Sequence, residues 1–334
     1  MKSHLQSTED ELDAATELLG HLREALGGVI VGQSALIDEL LIAVIASGHV
    51  LMEGLPGLGK THLAKGLARA FGLQLGRVQC TPDLMPADIT GSELLVRDAS
   101  GRQDMSFRPG PIFSNLVLVD EINRATPKTQ AALLEAMQER QVTYGGNTHS
   151  LPNPFWVIAT QNPIEIEGTY PLPEAQLDRF LIKVKVPYPD AEAMLSMLDI
   201  SLDDEPTEHL PAAIEPDELP GLMRAGAQVV ITESFKHSAV QLILATHPEQ
   251  DEASAESRRH IRYGASPRGL QALLKTARVH ALMHGRAHVA LEDVRRMALP
   301  VLRHRVLPSI ESELEGADLD QVLTGIVDRW AERQ

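Results

Sequence analysis

The sequence is short of three kinds of side chain, and each shortage excludes a class of protein. A single cysteine, Cys80, rules out a disulfide within the chain and favours a reducing compartment. Aromatic residues make up 4% of the chain, which leaves little of the stacking surface that binds single-stranded nucleic acid. Lysine and arginine number 30 against 46 aspartate and glutamate, a formal net charge of −16 that repels polyanions. Nucleic acid and anionic membrane surfaces are therefore not expected as main partners, although the net charge does not exclude a local basic channel.

Long hydrophobic runs are also missing. The richest apolar run, from Leu40 to Ala46, ends at Ser47 and falls short of the about 18 residues that a membrane-spanning helix needs. The first residues, from Met1 to Leu12, include acidic side chains and no apolar core, unlike a secretory signal. We therefore expect a cytoplasmic protein without membrane insertion. A chain of 334 residues allows about two domains.

The segment from Gly54 to Thr61 has the phosphate-binding loop pattern, a glycine followed after four residues by Gly-Lys-Thr. An apolar strand, Val50 to Met52, precedes it and a helix, His62 to Phe71, follows, which is the context that the pattern requires. Backbone N–H groups of such a turn, with the positive end of the helix, bind phosphate oxygens. Lys60 is expected to reach the β- and γ-phosphates of ATP, and Thr61 to bind Mg²⁺. The predicted nucleotide contacts here are Gly54, Pro56, Gly57, Leu58, Gly59, Lys60, Thr61 and His62.

Polar side chains follow two buried strands further along the chain. After the apolar run Leu116 to Val119, Asp120 is expected to hold Mg²⁺, and Glu121 to orient and deprotonate the attacking water. Acidic residues after a strand also serve as helix caps, so the pair alone leaves that alternative open. Asn162 follows the strand Phe155 to Thr160 and is a candidate donor to the γ-phosphate or the water. An asparagine before a proline is also typical of an ordinary turn.

Two other kinds of candidate lie outside these strands. The turn at Val31 and Gly32, ahead of the first strand, is a candidate adenine contact, although an ordinary turn between two helices explains it equally well. Arg179 precedes the last predicted strand, and Arg268 opens a helix near the C-terminus. Arginine has a permanent charge and a planar fork that suit phosphate oxygens. Spacing alone assigns a role to neither arginine, because a lone arginine is most often a solvated surface residue.

The order of the predicted elements indicates an α/β fold. Apolar strands alternate with helices, which is typical of a parallel sheet covered by helices on both faces. The predicted strands are Val50 to Met52, Leu75 to Thr81, Leu116 to Val119, Phe155 to Thr160 and Leu181 to Val186. The segment Pro82 to Pro111 contains four prolines and several glycines and is interpreted as an insert that presents loops. Gln141 to Pro152, with two glycines at its tip, predicts a β-hairpin.

From about Asp190 the strand signal stops and a helical domain follows. Its predicted helices are Ser234 to His247, Pro267 to Met283, Leu291 to Leu302 and Ala317 to Trp330. The acidic, proline-rich stretch Leu202 to Pro220 is interpreted as a linker or a loop, and the charged stretch Glu249 to His260 as a mobile loop. The predicted parts are an N-terminal helix (1–26), an αβα nucleotide-binding domain (27–190, with the insert at about 82–111) and a helical domain (191–334).

Taken together, these motifs resemble the MoxR family of AAA+ ATPases, in the group with an insert in helix 2. The stretches that show this resemblance are Gly54 to Thr61, Thr81 to Gly91, Asp120 to Ala125, Leu133 to Met137, Ala159 to Pro163 and, most specifically, Glu167 to Phe180. The resemblance is close from about Gly27 to Pro187 and looser from Ser266 to Leu302. Two positions depart from the family pattern, which has a bulky apolar residue at Cys80 and a proline at Thr126.

The resemblance implies a P-loop NTPase fold with a small all-helical lid, assembled into a ring, usually a hexamer, that holds ATP and Mg²⁺ between neighbouring subunits. It assigns Asp120 and Glu121 to the Walker B motif, Asn162 to sensor 1 and Arg268 to sensor 2 of the lid. Arg179 matches the arginine finger, which would act on the ATP of the neighbouring subunit. The insert and the hairpin would face the pore of the ring or its partners.

Members of the family act as chaperone-like remodellers that mature or activate enzyme complexes, in some cases by inserting a metal or cofactor. They commonly work with proteins that carry a von Willebrand factor A domain. The resemblance therefore implies ATP hydrolysis coupled to remodelling of a client complex, with such a protein as partner. Two alternatives stay open: a helicase-like motor on DNA, since replicative helicases share the insert, and a scaffold that signals by nucleotide binding alone. The net charge of −16 argues against the first, and Glu121, Asn162 and Arg179 argue against the second.

Overall fold

An αβα domain is followed by a helical domain in the computed structural model, which describes residues 2–97, 103–164, 168–201, 207 and 210–334. The helices are α1 (Lys2–Gly27), α2 (Ser34–Ile45), α3 (Lys60–Ala70), α4 (Pro86–Thr90), α5 (Pro127–Glu139), α6 (Glu174–Leu177), α7 (Ala191–Ser201), α8 (Leu219–Gln228), α9 (Glu233–Ala245), α10 (Ala255–His260), α11 (Pro267–Met283), α12 (Leu291–Leu302), α13 (Ile310–Glu315) and α14 (Leu319–Ala331). The strands are β1 (Val50–Glu53), β2 (Leu75–Gln79), β3 (Gly91–Arg97), β4 (Gln103–Pro109), β5 (Leu116–Asp120), β6 (Gln141–Tyr144), β7 (Asn147–Ser150), β8 (Trp156–Gln161), β9 (Ile182–Lys185), β10 (Ile261–Tyr263) and β11 (Leu307–Pro308).

Five strands form a parallel sheet in the order β2-β5-β8-β1-β9. The register sets Gln79 beside Asp120 and Glu53 beside Gln161. Because parallel strands end at one edge of the sheet, the loop after β1, the end of β5 and the segment after β8 meet there. Each of the five strands overlaps a predicted one, and the α/β prediction is confirmed.

The strands of this sheet bury side chains on both faces, in two apolar cores. In β5, Leu116 and Leu118 belong to the first core, whereas Val117 and Val119 belong to the second. Such two-sided burial explains why the central strands read as continuous apolar runs in the sequence. The first core continues through α1 and α2 into the helical domain, where it includes Leu273 of α11. The helical domain is therefore packed on one face of the sheet.

The predicted insert between Pro82 and Pro111 contains regular structure. It consists of the short helix α4 and an antiparallel hairpin in which β3 pairs with β4 along their whole lengths. The expectation that this segment presents loops is therefore wrong for the described residues. Residues 98–102, between β3 and β4, lie outside the described part of the chain. The proline at the first turn of α4 and the one that ends β4 occupy element ends, where a missing N–H is tolerated. The second predicted hairpin is confirmed as β6 and β7.

The helical domain has more elements than the sequence predicts. Helix α10 occupies the second half of the stretch Glu249 to His260, where a mobile loop is expected, so that part of the expectation is wrong; residues 249–254 are turns and irregular backbone. Ser254 caps α10 by accepting a hydrogen bond from Ser257 N, and Arg259 forms ion pairs with Glu311 and Glu315 of α13. Because polar contacts hold this helix, hydrophobic periodicity gave no sign of it. The sequence also did not predict helices α7 and α8 or the two-stranded sheet of β10 and β11. Residues 202–206 and 208–209, within the stretch expected as a linker, lie outside the described residues.

The first helix packs against both domains. Ala15, Leu19 and Leu22 of α1 are buried in the first core, as the apolar spacing predicts. The hydroxyl of Thr16 donates a hydrogen bond to the carbonyl oxygen of Leu282 at the end of α11 (3.0 Å). Helix α1 therefore stabilises the position of the helical domain on the sheet. In the described ranges of the chain, no helix has both the length and the apolar character that crossing a membrane requires.

Candidate functional site

The phosphate-binding loop connects the end of β1 to the start of α3. Gly57 and Gly59 have φ angles of 81° and 75°, which L-residues with side chains rarely adopt. A Cβ atom on Gly54 would lie 2.8 Å from Cβ of Val186, so this glycine permits close packing of the loop on the chain after β9. The ammonium of Lys60 donates a hydrogen bond to the carbonyl oxygen of Gly54 (2.6 Å), which holds it over the loop. The sequence pattern therefore forms the expected anion cradle at a helix N-terminus.

A cavity of about 380 Å³ lies over this loop and gathers most of the predicted site. Its lining residues are Pro56, Gly57, Gly59, Lys60, Thr61, His62, Arg77, Gln79, Asp120, Glu121, Thr160 and Asn162. Gly54 and Leu58 shape the loop but do not line the cavity. Val31 and Gly32 are also outside its lining; a Cβ atom on Gly32 would lie 2.5 Å from Cβ of Ala193, so this turn packs against α7. Their contact with adenine stays a prediction.

The two acidic residues at the end of β5 both contact a threonine from β8. The Thr160 hydroxyl lies 3.5 Å from Oδ1 of Asp120 and accepts a hydrogen bond from the amide of Glu121 (2.9 Å). Glu121 has a φ of 56°, which is uncommon for a residue with a side chain and is typical of functional positions. Asp120 is 6% exposed. One carboxylate is therefore buried beside the loop, and the other is turned into the cavity by a constrained backbone.

Two polar side chains on β2, which the sequence did not single out, contact these carboxylates. Arg77 forms an ion pair with Asp120 (2.9 Å), and the amide of Gln79 donates to Glu121 (3.1 Å). Arg124 is also close to Glu121, at 3.3 Å. The sequence signal that could have found them is the position of Arg77 and Gln79 two residues apart in β2. Residues two apart on a strand share a face, and β2 lies beside β5. Without the pairing of β2 with β5, that face could not be assigned to the site.

Asn162 lies one residue beyond β8 at the same cavity and is 5% exposed. Its side-chain oxygen accepts a hydrogen bond from the amide of Ile164 (3.2 Å), as in an asparagine turn. The NH₂ end of the same amide is then the end that can donate to a phosphate oxygen or a water. The turn role and the candidate functional role are therefore compatible in one side chain.

The two candidate arginines lie at a different cavity, of about 330 Å³, between the αβα domain and the helical domain. Arg179 and Arg268 both line it, together with Lys275 two turns further along α11. Nη1 of Arg268 is 4.0 Å from Oδ2 of Asp178, the residue before Arg179. Neither arginine lines the cavity over the phosphate loop. The structure therefore brings Arg179 and Arg268 to one cavity, separate from the cavity that holds Asp120 and Glu121 of the same chain.

Two buried side chains beside these cavities stay neutral. Burial raises the pKa of the Cys80 thiol to about 12, and the charges of Asp120 and Glu121 act in the same direction. Burial lowers the pKa of His49 to about 4. Its Nδ1 accepts a hydrogen bond from the amide of Val157 (3.0 Å), and its Nε2 lies 3.2 Å from the carbonyl oxygen of Met137. Cys80 thus behaves as a small apolar residue, and His49 as a structural link between three segments.

The donor set over the loop fits ATP with Mg²⁺. A threonine hydroxyl at position 61 and the carboxylate of Asp120 share one cavity, and oxygen ligands of this kind suit Mg²⁺. The positive φ angles of Gly57 and Gly59 and the start of α3 provide the N–H cradle for phosphates. In the described part of the chain no cluster of three His, Cys, Asp or Glu side chains suits a metal ion by itself. Fold and site together define a P-loop ATPase with a helical lid.

Comparisons with known proteins agree with this class. A family model described as the ATPase family associated with various cellular activities (AAA) matches residues 49–182, and a model of the AAA lid domain matches residues 253–323. YeaC, an uncharacterized protein of Bacillus subtilis, is 41% identical over 312 residues, which cover 93% of each chain. Chaperone MoxR1 of Mycobacterium tuberculosis is 39% identical over 288 residues, 84% of this chain and 73% of that protein. The chain belongs to the MoxR family of AAA+ ATPases.

A solved structure extends the likeness to the whole chain. The crystal structure of a Cytophaga hutchinsonii protein, described as a candidate ATPase, superposes with a TM-score of 0.90 at 36% identity. The match covers 97% of this chain and 98% of the other. The helical domain is therefore the lid of an AAA ATPase, and ATP hydrolysis is the activity of this class.

Proposed function

We propose that the protein works as a ring of identical subunits in which each ATP is bound between two neighbours. The observation that carries this proposal is the separation of the two cavities. The phosphate loop, Asp120 and Glu121 share one cavity, whereas Arg179 and Arg268 share the other. Stabilisation of the negative charge on the transferred phosphoryl group by positively charged groups is a large part of phosphoryl-transfer catalysis. Because Arg179 and Arg268 lie at the other cavity, each site is expected to receive these two arginines from the next subunit. Such a head-to-tail contact closes into a ring, usually of six subunits in this family.

Each candidate residue has a distinct role in this proposal. Thr61 and Asp120 hold Mg²⁺, which neutralises charge on the phosphates when it is bound. Lys60 binds the β- and γ-phosphates, Glu121 orients and deprotonates the attacking water, and Asn162 donates to the water or the γ-phosphate. Arg179 and Arg268 act on the nucleotide of the neighbouring subunit. Gln79, which donates to Glu121, keeps that carboxylate turned toward the cavity.

We further propose that turnover remodels a client protein complex in the cytoplasm, with a protein carrying a von Willebrand factor A domain as partner. The Mycobacterium tuberculosis relative is named a chaperone, which supports this role. Leu95 and Met105 are exposed and pair with each other across one face of the insert hairpin, which offers an apolar surface for a polypeptide client. Tyr144 of the second hairpin, which lies against Phe107 on that face, adds to it. These hairpins project from the same domain as the site, so nucleotide-driven movement of that domain would move the client.

The test is ATP turnover measured against protein concentration, with the assembly mass measured in parallel. We expect activity per subunit to rise as the ring assembles, because one subunit lacks the arginines of the next. Arg179→Ala should lower kcat at least about 100-fold while ATP binding and the mass of the assembly are kept. Arg295→Ala, which removes an exposed arginine paired with Asp328 on the lid, is the matched control. Full activity in a dilute monomer, or in Arg179→Ala, would overturn the proposal.

A further inference from the structure

The turn that carries Arg179 is bound by one buried guanidinium from the lid. Arg305 follows α12, and its side chain is 3% exposed. Its Nη2 donates to the carbonyl oxygens of Phe180 (2.6 Å) and Asp178 (3.3 Å), the residues on either side of Arg179. Its Nη1 donates to the carbonyl oxygen of Leu181 (3.0 Å). A single planar group therefore contacts the backbone before and after the candidate finger.

The side chain of Asp178 strengthens the same connection. Its Oδ1 accepts a hydrogen bond from Nε of Arg305 (2.8 Å), and its Oδ2 accepts one from the hydroxyl of Ser266 (3.1 Å). Ser266 is the residue before α11, and Arg268 in the first turn of that helix lies 4.0 Å from the same Oδ2. Two separate parts of the lid thus meet at the residue next to Arg179.

The turn is bound within its own domain as well as by the lid, and Phe180 is buried in the second core. The amide of Leu181 donates to the carbonyl oxygen of His49 (2.8 Å), which continues the strand direction into β9. The short helix α6 ends at Leu177, before the turn begins. The backbone amides of residues 178 to 180 donate hydrogen bonds to carbonyl oxygens of Glu174, Gln176 and Leu177. The Asp178 carboxylate and the carbonyl oxygens of the turn instead accept hydrogen bonds from Arg305 and Ser266 of the lid. Charge-assisted bonds of this kind are stronger than bonds between neutral groups.

We propose that Arg305 is a positioning residue that makes the arginine finger follow the lid. The inference rests on the proposed function, because it assumes that Arg179 acts on the neighbouring subunit's ATP. When the lid of a subunit shifts with its own nucleotide, Arg305 carries the turn of Arg179 with it. The nucleotide state of one subunit thereby sets the position of Arg179 at the ATP site of the next subunit. Arg305 itself does not touch the nucleotide.

A guanidinium suits this position better than an ammonium. Arg305 donates to three carbonyl oxygens of the turn and to one carboxylate, and its fifth N–H group donates to the carbonyl oxygen of Val301 (2.6 Å). These contacts use all five donors of the arginine fork. Burial lowers the pKa of Arg305 and the Asp178 carboxylate opposes that effect, so the group stays charged. A lysine can reach only part of this set. Arg305→Lys should therefore keep the buried charge and lose the geometry.

The first experiment compares Arg305→Gln and Arg305→Lys with Arg303→Gln. Arg303 is the matched control, since it is also a buried lid arginine (10% exposed) but pairs with Asp320 and with the carbonyl oxygen of Lys183. We expect both Arg305 variants to assemble and to bind ATP with an affinity within about twofold of the parent, while kcat falls at least about tenfold. Arg303→Gln should keep the parent's kcat. Should Arg305→Gln fail to fold, the lysine variant carries the test.

The second experiment mixes subunits, because a finger defect and a defect of the variant's own site respond differently. Glu121→Gln subunits keep their finger but lack the proposed base. Mixed with an Arg305 variant in equal amounts, they supply correctly placed fingers to sites that still have Glu121. Random assembly pairs the two types productively at about a quarter of the sites, so turnover should rise to about that fraction of the parent's rate. A mixture of Arg179→Ala with Glu121→Gln should recover to the same extent.

The two mixtures separate the inference from the function that underlies it. Suppose that ATP turnover recovers in the Arg179→Ala mixture, while turnover in the Arg305 mixture only equals the summed turnover of its two components. The finger then acts between subunits, and Arg305 does not position it. If neither mixture recovers, the proposed function fails and the inference fails with it. Full kcat in both Arg305 variants alone would also overturn the inference. Recovery in both mixtures supports it.

Discussion

Arg77 and Asp120 form an ion pair across the neighbouring strands β2 and β5. Nε of Arg77 lies 3.0 Å and Nη2 lies 2.9 Å from the same carboxylate oxygen, Oδ2 of Asp120. The other carboxylate oxygen faces the Thr160 hydroxyl at 3.5 Å. The proposed Mg²⁺ ligand therefore has a cationic neighbour of its own. A Mg²⁺ ion bound to Asp120 would compete with this guanidinium for the same negative charge.

This competition predicts that Arg77→Gln binds Mg²⁺·ATP at a lower Mg²⁺ concentration than the parent. The side chain of Arg77 is 55% exposed, and ion pairs of such side chains contribute up to about 1 kcal/mol, so the half-saturating Mg²⁺ concentration should fall about two- to fivefold. Titration of Mg²⁺ at fixed ATP, followed by turnover, measures the shift. Arg295→Gln, with a comparably exposed ion pair on the lid, should leave it unchanged. An unchanged or higher Mg²⁺ requirement in Arg77→Gln would contradict the competition.

The backbone of the phosphate loop predicts a second effect. Gly59 has a φ of 75°, and a side chain in this left-handed region costs about 1–2 kcal/mol. Gly59→Ala should therefore weaken ATP binding about tenfold, which a titration with a fluorescent ATP analogue measures.

Gly20 provides the control for that substitution. It lies in α1, and an added Cβ would meet no atom within 4 Å. Gly20→Ala should leave ATP binding unchanged and raise the free energy of unfolding by about 0.5–1 kcal/mol, since alanine is the better helix former. Equal effects of the two substitutions on ATP affinity would disprove the role of the loop conformation.

His49 predicts a dependence of stability on pH. Its pKa is lowered from 6.5 to about 4 in the folded chain, so the unfolded chain binds a proton that the folded chain does not. The stabilisation is fully present above pH 6.5 and is lost as the pH falls toward 4. Between about pH 6.5 and about pH 5 the loss should be on the order of 2 kcal/mol.

Urea unfolding of the parent and of His49→Gln at several pH values measures this effect. Burial also lowers the pKa of His304, which contributes in the same direction in both proteins. The difference between the two pH profiles therefore isolates His49. Parallel profiles for the parent and the variant would show that His49 takes up no proton on unfolding in this range.

Cys80 predicts an unreactive thiol. The side chain is 1% exposed and its pKa is raised to about 12, so the thiolate that attacks a disulfide reagent is scarce at neutral pH. A chromogenic thiol reagent should label no cysteine in the native protein and one per chain after unfolding. Cys80→Val, close in volume, should change the free energy of unfolding by less than about 1.5 kcal/mol. Fast labelling of the native protein would contradict the burial of this side chain.

Much of the candidate site was predictable because its residues are adjacent in the chain or follow strands directly. The loop Gly54 to Thr61 is recognised by local pattern, and a parallel sheet brings all strand ends to one edge whatever its strand order. The insert and α10 were misread for the opposite reason. Their hairpin pairing and ion pairs depend on partners elsewhere, whereas prolines and charges in a short window are typical of loops. The domain boundaries and the roles of the site residues stay predictions.

The sequence by itself determined that the chain builds a parallel sheet with a phosphate loop, Asp120 and Asn162 at one edge, since these features arise from local pattern and strand polarity. Only the tertiary structure decided which side chains join them. Arg77 and Gln79 contact the carboxylates because β2 is the neighbour of β5 in the sheet. Arg179 and Arg268 share a cavity away from the loop because the lid packs on the sheet at the turn of Asp178. Contacts between distant segments follow from packing geometry, which no local window of the sequence contains.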